Sequence, residues 1–255
     1  MINNQSKGAS VLGSHIDALS WDEAISKIES WASKRESKYV AICNVHSVVT
    51  ALQEPQHKEV INSADMATCD GMPITWALRK LGFATQQRIN GPDLMWKYCE
   101  KVEKSGQKVY FHGSTDENLA LLKARLLDAF PALQIAGMYS PPFRALTEVE
   151  DAEIVKQLND SGAGVVFVGL GCPRQEYWMK MHRGKINAVM IGVGAAFNYH
   201  AGTTKRAPLW MQNAGLEWLH RLAADPRRLW KRYLVTNTIF VVAITAQLLG
   251  IKKFQ

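Results

Sequence analysis

The sequence predicts an α/β fold, a mainly parallel sheet with helices on both faces followed by a helical C-terminal appendage. Three observations carry that expectation: short β-branched or alternating apolar runs recur, stretches with helix-start signals separate them, and beyond residue 204 the chain turns first basic and then apolar. The runs fall at 39–43, 66–69, 108–112, 134–138, 165–168 and 188–191, each of strand length. Between them, Ser20 and Glu23 have capping-box spacing for a helix to about Ser33. Thr115 opens a helix over 116–130, and Thr147 with Glu150 opens a third to about Leu158. Strands alternating with such helices pair in parallel and bury both sheet faces, a Rossmann-like layering. The segment 10–18 reads as a small extra hairpin. The expected organisation is an α/β domain over 1–204 and an appendage over 205–255.

At 255 residues and 47% hydrophobic content, the chain can bury one large core without disulfides or metals. Cys43, Cys69, Cys99 and Cys172 form no Cys-x-x-Cys pair and sit mostly in apolar runs, which predicts reduced thiols rather than a zinc site or disulfide framework. The first ten residues carry Asn, Gln, Ser and Lys where an export signal needs a continuous apolar core, so a cytoplasmic chain is expected. Nine Lys and Arg residues against two acidic ones lie in 205–255, which accounts for the whole formal charge of +7. An anionic partner is expected there.

In open parallel sheets, ligands bind beyond the carboxyl ends of the strands. Just past the predicted strands stand Asn44-Val45-His46, Asp70-Gly71-Met72-Pro73, Gly113-Ser114-Thr115, Gly169-Leu170-Gly171-Cys172-Pro173-Arg174-Gln175-Glu176 and Gly192-Val193-Gly194-Ala195. Glycine at four of these five tips lets the backbone approach a ligand closely, and helix N-termini offer N–H groups to phosphate oxygens. The pattern favours a phosphate-bearing ligand over plain turn glycines. Neither Gly169-x-Gly171 nor Gly192-x-Gly194 continues to the third glycine of a dinucleotide fingerprint, which weakens a dehydrogenase reading. The sequence also lacks a Walker lysine motif, His-Glu-x-x-His and a Gly-x-Ser-x-Gly elbow.

Asp70 follows an apolar run directly, and there it either accepts a proton from an attacking hydroxyl or caps a helix. Asn44 and His46 could bind substrate hydroxyls; His46 could also carry a proton, against a structural role as the stronger alternative for a lone His beside an apolar strand. Arg88, in Arg88-Ile89-Asn90-Gly91-Pro92-Asp93, either holds a phosphate or pairs with Asp93. Gln175 and Glu176 offer a planar amide and a carboxylate to a base or sugar, or are ordinary first-turn polarity. The Gly113 loop is given a structural role, because Asp116 and Glu117 would repel phosphate while suiting a helix N-terminus.

The C-terminal segment reads as a helix begun by Pro208, then a second begun by Pro226 with Asp225 as its cap. The stretch 233–251 carries no charge over 19 residues. As a helix it would span roughly 28 Å, just short of a bilayer core. Thr236 and Gln247 project to one side and Thr238 and Thr245 nearly opposite, so the stretch could lie in the interface, dip into the bilayer or pack on the protein. The basic cluster with Trp210, Trp218, Trp230 and Tyr233 favours a membrane surface carrying anionic lipid. The apolar tail disfavours nucleic acid as the partner.

These motifs together resemble the WecG/TagA/CpsF glycosyltransferases of bacterial surface polysaccharide synthesis, over nearly the whole chain. The resemblance rests on Asn44, Cys69-Asp70-Gly71-Met72-Pro73, Arg88-Ile89-Asn90-Gly91-Pro92-Asp93-Leu94, the Gly169–Glu176 motif and Gly192-Val193-Gly194-Ala195-Ala196-Phe197. It continues through Ala201-Gly202, Arg206-Ala207-Pro208, Gly215-Leu216-Glu217-Trp218-Leu219-His220-Arg221-Leu222 and Pro226-Arg227-Arg228-Leu229. It implies an inverting transfer, with no bound metal and no cofactor, from a UDP-sugar to a saccharide on undecaprenyl diphosphate, in exopolysaccharide, capsule, enterobacterial-antigen-like or teichoic acid synthesis. Residues 1–204 are then the catalytic domain.

Carried over by position, the base falls on Asp70, and Asn44, Arg88 and Gln175 fall in the donor and acceptor pocket. With the strand-tip motifs, the expected substrate contacts are Asn44, His46, Arg88, Asn90, Asp93, Gly169, Gly171, Pro173, Gln175, Glu176, Gly194 and Asn198. The family's appendage would close over the site and seat the enzyme peripherally on the inner face of the cell membrane. That gives the acceptor diphosphate to Arg206, Arg221, Arg227, Arg228 and Arg232. Where many members carry Asp in Gly-x-Gly-x-x-Phe-Asp, this chain has Asn198, which can hydrogen-bond a hydroxyl but cannot take a proton; Asp70 gains as the candidate base. Two rival readings are an NAD-dependent nucleotide-sugar epimerase or dehydrogenase and a non-catalytic sugar-nucleotide sensor. Exposed apolar patches would serve the membrane or a second subunit in a homo-oligomer.

Overall fold

The computed structural model describes residues 7–254. In chain order it runs β1 (Gly8–Val11), β2 (Ser14–Asp17), α1 (Trp21–Ser33), β3 (Lys38–Cys43), α2 (Val45–Gln53), α3 (Pro55–Asn62), β4 (Met66–Cys69), α4 (Met72–Lys80), α5 (Gly91–Glu103) and β5 (Val109–Gly113). There follow α6 (Asp116–Ala129), β6 (Ile135–Tyr139), α7 (Glu148–Asp160), β7 (Val165–Gly169), α8 (Arg174–His182), β8 (Val189–Gly192) and α9 (Ala196–Ala201). The chain closes with α10 (Leu209–Asn213), α11 (Glu217–Ala224) and α12 (Pro226–Leu248). Six strands form one parallel sheet in the order β4-β3-β8-β7-β5-β6, flanked by helices, and β1 pairs with β2 in an antiparallel hairpin. The six apolar runs are these six strands, with ends moved by at most one residue.

Two compact units emerge, one of residues 7–21, 42–90 and 206–254, the other of 22–41 and 91–205. In the second unit, Val165, Val166, Phe167 and Val168 are wholly buried, as are Val189, Met190 and Ile191. Continuous apolar runs of this kind are what strands covered on both faces require. Phe111 stacks on Phe167 at 5.4 Å and meets Phe197 edge-on at 5.6 Å. The helix starts follow the sequence signals: Thr115 Oγ1 accepts from Asn118 N, and Thr147 with Glu150 closes a full capping box.

In the first unit, the hairpin serves as a clamp. Asp17, almost completely buried, accepts the Ala67 N–H of β4 at 2.6 Å. At the turn of the same hairpin, Gln247 of α12 accepts from Leu12 N at 2.8 Å and donates to Ser10 O at 2.6 Å. The helix α12 packs on α2 and buries Leu229, Thr236, Phe240 and Ile244.

The C-terminal expectation needs correction in two places. The helix begun by Pro208 stops after five residues, because Gly215 takes φ 72° and a Cβ there would lie 2.8 Å from the Trp76 ring. Chain direction changes at that turn, and α11 starts afresh at Glu217. Asp225 holds the N-cap position of α12, yet its carboxylate takes the Arg228 side chain instead of a backbone N–H. In keeping with a stretch just short of a bilayer core, among the described residues no helix is long and apolar enough to cross a membrane. One face of α12 packs on the protein, while Leu234, Val235, Val241 and Val242 stay exposed.

Candidate active site

The tips of β3 and β4 build the site in the first unit. Asp70 N donates to Cys43 O at 2.9 Å, which continues the strand pairing one step past β4 and fixes the backbone that carries the Asp70 carboxylate. Gly71 then takes the N-cap position of α4, with Pro73 in the first turn, so Asp70 is not the cap of that helix. Asn44 is a cap: its side chain accepts from Ser47 N at 3.1 Å at the start of α2. Its next-but-one neighbour His46 sits in the first turn, 3.5 Å from Thr50 Oγ1.

Arg88 ties this corner together. Its Nη2 lies 3.3 Å from Asp70 Oδ1 and 2.6 Å from Glu217 Oε2, and its Nε donates to the Asp70 carbonyl. The three side chains are only 14%, 21% and 17% exposed, so the charges attract across a partly dry corner. Burial opposes the guanidinium charge, but Asp70 and Glu217 outweigh it and hold the Arg88 pKa above its ordinary value. His46 is pulled the other way, down to about 4, by burial and then by the positive charge of Arg232 and by His57. Its imidazole is therefore neutral at pH 7.

A cavity of about 530 Å³ opens over this corner, within the usual range for small-molecule sites. Asn44, His46, Asp70, Arg88, Glu217, Arg221 and Arg232 line its polar end. Trp76, Ala77 and Lys80 of α4 and Thr236, Asn237, Phe240, Val241, Ile244 and Leu248 of α12 are among the other lining residues.

The glycine-rich loops of the second unit form a cluster of their own. Gly171 has φ 80° and follows β7; a Cβ on Gly169 would strike the Phe197 ring at 2.8 Å. Gln175 Oε1 accepts from Gly171 N at 3.2 Å and from Gly194 N at 3.1 Å, while its Nε2 donates to Glu176 Oε1 at 2.8 Å. That amide braces two loops against each other, with its hydrogen bonds spent internally. Glu176 is buried, and burial raises its pKa. The Cys172–Pro173 bond is cis, and Pro173 stands at the N-cap of α8.

Of the residues expected from sequence, the structure brings Asn44, His46, Asp70, Arg88, Arg221 and Arg232 to one cavity. Asn90 and Arg206 form a separate pair at 3.1 Å, Arg227 is exposed, and Arg228 turns to Asp225; none of these lines the cavity. Gly169, Gly171, Pro173, Gln175, Glu176 and Gly194 belong to the second unit's cluster. Asp93 lies in the first turn of α5 there, and Asn198 is exposed on α9. Arg88, expected to meet a phosphate or Asp93, is held by Asp70 and Glu217. Sequence reasoning missed Glu217 as a site residue and the apolar walls altogether. Glu217 stands inside a quoted motif, but only folding across 129 positions makes it a partner of Arg88.

A parallel α/β sheet with a carboxylate at a strand tip, held by a guanidinium and lining a cavity of ligand size, defines an α/β protein with a small-molecule site. The profile of the WecG/TagA/CpsF glycosyl transferase family matches residues 9–254, and the chain belongs to that family. It is a glycosyltransferase. A relative from Bacillus spizizenii, named N-acetylglucosaminyldiphosphoundecaprenol N-acetyl-beta-D-mannosaminyltransferase, is 30% identical over 213 residues, covering 82% of this chain and 80% of its own. A Staphylococcus aureus protein of the same name is 27% identical over 248 residues, covering 95% and 94%.

Proposed function

We propose that the protein moves a sugar from a UDP-sugar donor onto a saccharide linked to undecaprenyl diphosphate, with inversion at the anomeric carbon. The observation that carries this reading is the Asp70 carboxylate at a strand tip, facing a cavity that Arg88, Arg221 and Arg232 also line. The acceptor hydroxyl attacks the anomeric carbon and loses its proton to Asp70; the bond from that carbon to the diphosphate breaks, and UDP leaves with the electron pair. Arg221 and Arg232 at the cavity are suited to stabilise the charge that grows on the leaving group. Glu217 draws Arg88 to one side of Asp70, which keeps one carboxylate oxygen available to a hydroxyl.

Transferred hexoses, uronic acids and N-acetylhexosamines all fit this chemistry. The names of the two relatives make an N-acetylmannosaminyl donor and an N-acetylglucosaminyl diphosphate-lipid acceptor the first pair to test. Work on such an acceptor suits a protein attached peripherally to the inner membrane face, and exposed Trp210, Trp230, Leu209 and Leu234 beside the basic residues of 205–255 support that seat. Asp70→Asn should lower turnover by roughly 10²–10⁴-fold. Turnover is measured with a panel of UDP-sugars and a short-chain lipid acceptor; near-normal rates in a folded variant would remove Asp70 as the base.

A further inference from the structure

The cavity changes character along its length. Arg232, Thr236, Phe240, Ile244 and Leu248 stand four residues apart on α12 and form one row along its wall. That row passes from a guanidinium through a hydroxyl to purely apolar side chains. From Phe240 to Leu248 it runs roughly 12 Å. Trp76, Ala77 and Lys80 of α4 also line the cavity, and Trp76, Val241 and Leu248 keep substantial exposure.

We propose that this apolar trough receives the first isoprene units of the acceptor's polyprenyl diphosphate, with the diphosphate at the Arg221 and Arg232 end. The inference rests on the lipid-diphosphate reading given above. An anion joined directly to an apolar chain matches a cationic end continuous with an apolar wall. A UDP-sugar has no apolar part to cover Phe240, Ile244 and Leu248, which sit beyond the charged end. The exposed rim suits a long chain that enters the trough near its head and leaves again toward a bilayer.

Calorimetry on the full chain, below detergent micelle concentrations and without bilayers, tests this with ethyl, geranyl and farnesyl diphosphate. Affinity should rise by about tenfold or more from ethyl to farnesyl, since each buried methylene adds to binding. Val241→Asp, on the rim, should abolish that gain; Val242→Asp, equally exposed but off the cavity wall, should keep it. Equal affinity for all three tails, or equal loss in the two variants, overturns the trough. Binding of a fatty acid with the affinity of farnesyl diphosphate overturns the committed occupant. Transfer assays run alongside separate the two readings: chain-length-dependent binding with no transfer to any lipid acceptor leaves the trough and overturns the proposed reaction.

Discussion

Arg88 holds two carboxylates through one nitrogen, and removing either acid leaves a guanidinium without half its compensation in a corner where all three groups are largely shielded. Gln175 shows the same economy with neutral groups, since one amide serves two loop N–H groups and one oxygen of the buried Glu176 carboxyl. His112 is the opposite case. It is stacked 4.4 Å from Trp178 and 5.7 Å from Tyr139, and neither ring nitrogen has a hydrogen-bond partner among the described residues. Burial, and then His182, push its pKa down from 6.5 to about 3. Between those values the unfolded chain binds a proton that the native state does not, so the native state loses stability as pH falls through this window. His112→Phe keeps the stacking and removes both orphan nitrogens. It should raise stability by about 1–2 kcal/mol at pH 7, and by more at pH 5. Urea midpoints at the two pH values check this; a gain that shrinks on acidification would contradict it. Asp70 was legible as a residue because a carboxylate after an apolar run needs only local sequence, whereas the idle ring of His112 depends on neighbours from two other elements, β6 and α8.

At the scale of elements, the strands were legible because burial on both sides forces an uninterrupted apolar run, and Val165–Gly169 has no other reading. The helices α2 and α3 escaped. Pro55 splits their region into two short pieces, and each is held by packing within its unit more than by propensity. The break between α10 and α11 escaped for a similar reason, since the need for Gly215 comes from the Trp76 ring across the fold. The far end of α12 is tied to the hairpin by Gln247, which bonds Leu12 N and Ser10 O. Gln247→Leu should cost about 1–2 kcal/mol, because two hydrogen bonds are lost at a partly exposed place. It should also speed amide exchange over 241–248. Exchange confined to wild-type rates would mean that packing of Phe240 and Ile244 alone anchors the helix.

For the whole molecule, the distribution of charge separates two tasks. The first 204 residues are balanced, and the entire excess sits in 205–255, which contributes both Arg221 and Arg232 to the cavity and an exposed basic, aromatic surface. The sequence could locate the excess but could not divide it, because a charge on a helix faces a ligand or solvent only once packing sets the helix's rotation. Arg227 and Arg228 are exposed, and Lys252 and Lys253 follow α12 beyond its end. If this outer set seats the protein on anionic lipid, each cation near the surface is worth about 1 kcal/mol. Deleting 235–255 would release the protein but would also remove Phe240, Ile244 and Leu248, so a milder change is needed to isolate the electrostatic part. Lys252→Glu with Lys253→Glu leaves the cavity wall whole. Sedimentation with vesicles containing anionic lipid should then fall by about tenfold or more, the remaining binding should weaken further as salt is raised, and transfer to a short-chain acceptor in detergent should stay unchanged. Undiminished sedimentation of the double variant would assign membrane attachment to the apolar face of α12 and its tryptophans, and deny the lysines any part in it.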